Sequence, residues 1–168
     1  MMLKFIAGYI YTQLQTTIHR YWVFHYTLKF CFKKKDFNGY KKIFLVKRAL
    51  VHDLSKYKWD EAKYFATTIF DLKKSTYGSE EYAQMLKDIQ PAIDRHYQRN
   101  YHHPQFNPDH GYKEMTELDR IEMVIDWRAA TRRHKDGCIF KSLDINQEKF
   151  DYSDEDKEYL TTIAKLIV

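Results

Sequence analysis

The chain has 168 residues, enough for one domain with a real core, and 44% of them are apolar. Five Gly and three Pro argue against a turn-rich all-β chain, and two cysteines, Cys31 and Cys138, exclude a disulfide framework and read as reduced thiols of a cytosolic-type protein. The formal net charge of +5 is modest, so its placement says more than its size.

Apolar spacing of three and four residues predicts helices nearly throughout. The first runs from about Ile6 to Phe32 and ends in a Lys-rich loop, Lys33 to Asn38. Asn38 suits the N-cap of a second helix, which carries Ile43, Phe44, Val46, Leu50, Val51 and Leu54 and ends near Lys58. A third, Asp60 to Lys74, turns Phe65, Ile69 and Leu72 inward. Thr76-Tyr77-Gly78 reads as a turn, and Ser79 caps a fourth helix, Glu80 to about Asn100, in which Pro91 should introduce a kink or a break. Pro104, Pro108 and Gly111 make Tyr101–Tyr112 a loop. Thr116 and Asp119 resemble a capping box opening a fifth helix that runs to about His134. Residues 136–150 look irregular. Ser153 with Asp156 opens a last helix to Val168, with Leu160, Ile163, Ala164 and Ile167 on one face. No repeat, low-complexity segment or linker interrupts this order. The expectation is one all-α domain over 1–168, a bundle of about five to seven helices.

Positive charge gathers at Lys33-Lys34-Lys35, Lys41-Lys42 and Lys47-Arg48, and again at Arg128, Arg132-Arg133, His134 and Lys135. Most such runs are solvated helix ends or loops; the sharper reading is attraction of a phosphorylated ligand. No nucleic-acid-binding motif accompanies them, which makes nucleic acid a weak expectation without excluding it. The aromatic Met1–Phe32 stretch is interrupted by Gln13, Gln15, His19, Arg20 and Lys29. It holds no run of about 18 apolar residues and no signal-peptide pattern, so no membrane partner is expected, an amphipathic surface helix aside.

The chemistry centres on His52-Asp53, within Val51-His52-Asp53-Leu54-Ser55-Lys56-Tyr57. Imidazole and carboxylate are ligands of divalent transition metals. On a helix, adjacent His and Asp diverge by about 100°, and Lys56 shares a face with His52. His19 lies upstream; His96, His102-His103 and Asp126 lie downstream. Asp119, Glu122 and Asp126 fall at i, i+3 and i+7, an acidic stripe that would repel itself unless metals neutralise it. Single histidines on amphipathic helices are usually ordinary core or surface residues, and His25, His110 and His134 are read that way. Trp22, Trp59 and Trp127 read as core rings.

This ordered set resembles the HD-domain metal-dependent phosphohydrolase superfamily: a His, then His-Asp, then further His, then a late Asp, all on helices. His52-Asp53-Leu54-Ser55-Lys56 is similar to the His-Asp-x-Gly-Lys signature of its phosphodiesterase branch, with Ser55 where Gly is usual. The chain looks closer still to a family of small, uncharacterised phage and bacterial proteins. The shared features are His19-Arg20-Tyr21-Trp22-Val23, then His-Asp-x-Ser-Lys-Tyr with Glu61 soon after. His-x-x-x-Asn-x-His-His (His96, Asn100, His102, His103) and Glu-Met-x-x-Asp-Trp (Glu122, Met123, Asp126, Trp127) complete them. The match covers about residues 17 to 133 and leaves the tail, with its helix over 153–168, unassigned.

The resemblance implies that His19, His52, Asp53 and Asp126 bind a first metal. Asp53 would bridge to a second, held by His96 with His102 or His103. One or two divalent transition ions (Mn, Fe, Ni, Zn or Co) are the implied cofactors. Glu61 and Glu122 would orient ligand histidines or ligate directly. Lys56 would hold a phosphate oxygen; Arg99, Asn100, His103 and Arg128 are further substrate-binding candidates. The implied activity is hydrolysis of a phosphate ester in a nucleotide or small phosphorylated ligand. Two other classes share the pattern: a di-iron oxygenase, and a non-catalytic metal-stabilised viral or phage accessory protein. The expected location is cytoplasmic, in the host cytoplasm for a viral protein.

Overall fold

A computed structural model describes residues 2–72, 80–106, 111–133 and 137–168. The expected turn at Thr76–Gly78, the Ser79 cap, and Pro108, His110, His134 and Lys135 lie outside the described residues. Seven α-helices are described: α1 Met2–Lys33, α2 Gly39–Val51, α3 Trp59–Leu72, α4 Glu80–Arg99, α5 Glu117–Thr131, α6 Ile139–Phe150 and α7 Asp154–Ile167. Short 3-10 helices cover Leu54–Tyr57, Pro104–Phe106 and Gly111–Glu114, and no strand occurs among the described residues. The all-α expectation holds.

The chain divides into two compact units. Unit 1 comprises Met1–Ile18 and Asp53–Arg99; unit 2 comprises His19–His52 and Asn100–Val168.

In unit 1, α3 packs against α4, and the 3-10 helix Leu54–Tyr57 touches both. The buried face of α3 is built from Glu61, Ala62 and Ala66 rather than from Phe65 and Ile69, which are half-buried. Small residues let backbones approach. A Cβ on Gly8 of α1 would lie 2.1 Å from the Ala66 carbonyl oxygen, so only glycine permits that crossing. Pro91 sits inside α4, and the helix continues through it from Glu80 to Arg99 rather than splitting there. Trp59 is exposed and packs edge-on against Phe5, so it is not the core ring expected of it.

Unit 2 holds the main apolar core. Helix α5 is its centre: Ile121 through Asp126 are all buried, the pattern of a helix surrounded on every side. It packs against α2, α6 and α7. The expected capping box of Thr116 and Asp119 opens α5, and Ser153 and Asp156, expected to open the last helix, form a second one at α7, each side chain bonding the other's backbone N–H. On α7, Leu160, Ile163, Ala164 and Ile167 are buried as expected. Residues 139–150, expected to be irregular, form α6. Cys138 supplies no side-chain cap, so the local signal is weak; the helix exists because Ile139 and Leu143, one turn apart, bury against the core.

Helix α2 begins as expected, with Asn38 accepting from the N–H groups of Tyr40 and Lys41. It does not reach Lys58. It stops at Val51, with His52 extended at its C-cap and Asp53 in the left-handed region at φ 55°. The cause is Arg20 of α1, which donates to the backbone oxygens of His52 (2.8 Å) and Leu50 (2.6 Å). Those carbonyls are thereby satisfied by a side chain, and the chain is free to turn. His52 and Asp53 therefore occupy a helix-terminating turn, not one helical face, and the expected alignment of Lys56 with His52 fails.

Candidate metal centre

Three histidines of unit 2, His19, His52 and His102, converge on two carboxylates of α5. Glu122 and Asp126 stand one turn apart on the same face and are buried. His19 from α1 and His52 from the end of α2 are buried too. His19 Nε2 lies 2.8 Å from Asp126 Oδ1, and His52 Nε2 lies 3.5 Å from the same oxygen. The other ring nitrogen of His52, Nδ1, is 2.9 Å from Glu122 Oε1. His102, buried just after the end of α4, brings its Nδ1 to 3.4 Å from Glu122 Oε1, its ring 4.2 Å from that of His52.

Arg48 holds this arrangement from behind. Its Nε donates to Glu122 Oε2 at 2.5 Å and its Nη2 to Asp119 Oδ1 at 2.6 Å. The acidic stripe of α5 thus carries its own counter-cation, which sequence reasoning missed. The available signal was Arg48 standing four residues before His52. Burial alone would raise the pKa of both carboxylates. Hydrogen bonds from His102 and His52 outweigh it at Glu122, and bonds from His19 and His52 outweigh it at Asp126, so both are held well below the usual carboxylate range.

The donor geometry fits a metal ion. His19, His52 and Asp126 each offer one ligand atom within 4.8 Å of the others, and so do His52, His102 and Glu122. Ligands about 2.1 Å from a tetrahedral ion sit about 3.4 Å apart. The His52–Asp126 separation of 3.5 Å is close to that value, while His19 and Asp126, at 2.8 Å, are at hydrogen-bond distance and would open slightly around an ion. Two imidazoles and a carboxylate suit a transition ion of borderline softness.

Unit 1 carries a parallel arrangement. His96 Nε2 lies 3.3 Å from Asp53 Oδ1. Its Nδ1 lies 3.1 Å from Ser55 Oγ and 3.4 Å from Glu61 Oε2, and the Ser55 hydroxyl donates to that Glu61 oxygen at 3.0 Å. Arg99 donates to Glu61 Oε1 at 2.7 Å and to Asp60 Oδ2 at 2.6 Å. Burial raises the Glu61 pKa less than His96 and Arg99 lower it, so it too stays charged. In each unit, then, an arginine steadies a buried glutamate, the glutamate faces a histidine Nδ1, and the histidine Nε2 faces an aspartate. Lys56 donates to Asp53 Oδ2 at 2.5 Å.

Residues 10–168 match the model of DUF5662, described as a family of unknown function. The chain belongs to that family. No curated protein and no solved structure matches it.

In this DUF5662 protein the remaining expected residues sit as follows. Arg99, expected at a substrate phosphate, is engaged by Asp60 and Glu61. Arg128 donates to Thr131 Oγ1 at 2.9 Å and its guanidinium lies over the Tyr26 ring. The Asn100 carbonyl accepts from the N–H of His103, closing the turn that carries His102. His103 is half-buried with its ring 4.2 Å from that of His102. His25 is exposed, in keeping with the ordinary role expected of it. Trp22 and Trp127 pack partly buried against the unit 2 core.

Proposed function

We propose that this DUF5662 protein is a metal-dependent hydrolase of phosphate esters of HD-domain type, acting on a nucleotide or small phosphorylated ligand. One observation carries the reading: Asp126 Oδ1 stands between the Nε2 atoms of His19 and His52 while Glu122 occupies Nδ1 of His52. Metal-ligating histidines characteristically give their other nitrogen to a carboxylate, which fixes the tautomer and strengthens the donor. Three protein ligands leave a position for substrate. When bound, a divalent transition ion supplies Lewis acidity and an ionisable water near neutral pH.

The chain's own residues do the rest. Glu122 keeps the His52 proton on Nδ1 and its Nε2 lone pair free to coordinate. Arg48 donates to the other Glu122 oxygen, Oε2, and so holds the carboxylate in place from behind. In unit 1, Asp53 and His96 form a second carboxylate–imidazole pair, and Lys56 is the cation beside it. A phosphate oxygen would compete with Asp53 for the Lys56 ammonium.

A second reading, an ion held for stability alone, has one observation in its favour: His19, His52 and Asp126 are each more than nine-tenths buried. Structural sites are closed, and catalytic ones keep an open position. Elemental analysis of the parent, His52→Ala and Asp126→Asn, joined to a panel of phosphomonoesters, phosphodiesters and nucleotides, separates the readings. The expected result is a bound transition metal and phosphate release in the parent, with both lost in variants that stay helical by circular dichroism. Equal metal content in all three proteins would remove the centre. Metal without turnover on any substrate would leave the structural reading.

A further inference from the structure

Helix α2 shows more apolar surface to solvent than to the core. Its inward side buries only Leu45 and Ala49. Its outward side carries Tyr40, Ile43, Phe44, Leu50 and Val51, each between 55% and 78% exposed. At about 100° per residue these positions, with Lys47 among them, fall on one face of the cylinder. Lys47 stands 5.8 Å over the Phe44 ring, so even the charged side chain of that face adds apolar stem beside an aromatic. Phe32, 79% exposed, precedes the Lys-rich loop that leads into the helix. Ile43, Phe44, Leu50 and Val51, apolar residues that the sequence places on this helix, face water.

The charge around this face is one-sided. Residues 29–51 contain eight Lys or Arg and one acid, Asp36, a net +7 where the whole chain carries +5. Arg48, Lys41, Lys34 and Lys29 have partners within unit 2. Lys33, Lys35 and Lys47 are exposed. A second copy meeting this face would bring the same excess of cations against it, which disfavours self-pairing. The outer side of a helix is convex and suits a flat surface better than an inserted peptide. Exposed Phe and Tyr rings interleaved with lysines match the boundary of an anionic bilayer, where rings sit at headgroup depth and ammonium groups reach lipid phosphates.

We infer that the outward face of α2, with the preceding Lys-rich loop, docks the protein on an anionic lipid surface through Tyr40, Ile43, Phe44 and Lys47. This needs no membrane-crossing segment: no described helix is long and apolar enough to be one. Nor does it rest on the metal-centre reading. The sequence reading left an amphipathic surface helix open for Met1–Phe32 alone, and the face described here lies on the next helix, α2.

Flotation of the full chain with two kinds of vesicle tests it: phosphatidylcholine alone, and phosphatidylcholine mixed with phosphatidylglycerol. The parent should float with the mixed vesicles only, and less so as salt is raised. Ile43→Glu with Phe44→Glu should weaken binding by roughly tenfold or more. Lys35→Glu with Lys47→Glu should do likewise. All four positions are exposed, so circular dichroism and thermal midpoint should stay at parent values. Absence of binding to the mixed vesicles overturns the inference, as does binding that both double variants retain. A parent that sediments as a dimer and becomes monomeric on Phe44→Glu, without vesicle binding, would overturn it by assigning the face to a second copy.

Discussion

His52 works through both ring nitrogens, and each faces a different carboxylate. Nδ1 meets Glu122 and Nε2 points to Asp126. Glu122 in turn is divided between His52, His102 and Arg48. Such a residue sets how basic and how well aimed its histidine is, so replacing it should change metal affinity more than fold. Glu122→Gln keeps the shape and one acceptor oxygen but loses the negative charge. It should bind the transition ion about 10- to 100-fold more weakly in competition with a chelator. Arg48→Met separates the other function of this network. It leaves Glu122 and Asp119 buried with their nearest cation gone, and truncating one partner of a buried pair costs about 3–5 kcal/mol. Asp119 and Glu122 retain some contact with other groups, so a loss toward the lower end is expected in urea unfolding of the metal-free protein. A loss below about 1 kcal/mol, the range of an exposed pair, would show that Arg48 is only a surface contact.

Elements show where sequence reasoning works and where it stops. The capping boxes at Thr116 and Ser153 and the Asn38 cap were legible because a cap is local: its donor and acceptor lie within three residues. The histidines and acids that converge in unit 2 were legible by type. Their geometry was not. The end of α2 at Val51 depends on Arg20, thirty-two residues before His52, bonding the final carbonyls, and nothing near His52 announces that. Helix α6 was missed because its reason to be helical is the core it covers. The outward face of α2 was not legible, because apolar periodicity reports that a face exists, not which way it points. Gly8 belongs to the same group. A glycine inside α1 reads as a mild defect until the Ala66 carbonyl is found where its Cβ would be. Gly8→Ala removes the helix-propensity penalty of about 1 kcal/mol yet should still destabilise, because α1 and α3 backbones must part. A net loss of about 1–3 kcal/mol in thermal or urea unfolding is expected. A gain in stability would mean the crossing is loose enough to absorb a methyl group.

At the scale of the whole molecule, the centre in unit 2 draws its donors from elements far apart in the chain. His19 comes from α1, His52 from the end of α2, His102 from the segment after α4, and Glu122 and Asp126 from α5. An unfolded chain cannot hold these groups together, so an ion bound there acts on folding as well as on chemistry. Binding to the native state alone stabilises by about 2.7 kcal/mol when free metal is 100 times the dissociation constant. For a domain of 150–250 residues, each kcal/mol moves the thermal midpoint by about 2–4 °C, so a rise of roughly 5–10 °C on adding the cognate ion is expected. Removing it with a chelator should return the midpoint to the metal-free value. The effect also has a sign in pH. Coordination needs neutral imidazoles, so protons compete with the ion. The metal-dependent part of the stability should therefore be full above the imidazole range and fade as pH falls through it. His52→Ala should abolish the metal-dependent shift at every pH while leaving a cooperative transition. A shift that survives in His52→Ala would assign the stabilising ion to some other part of the chain.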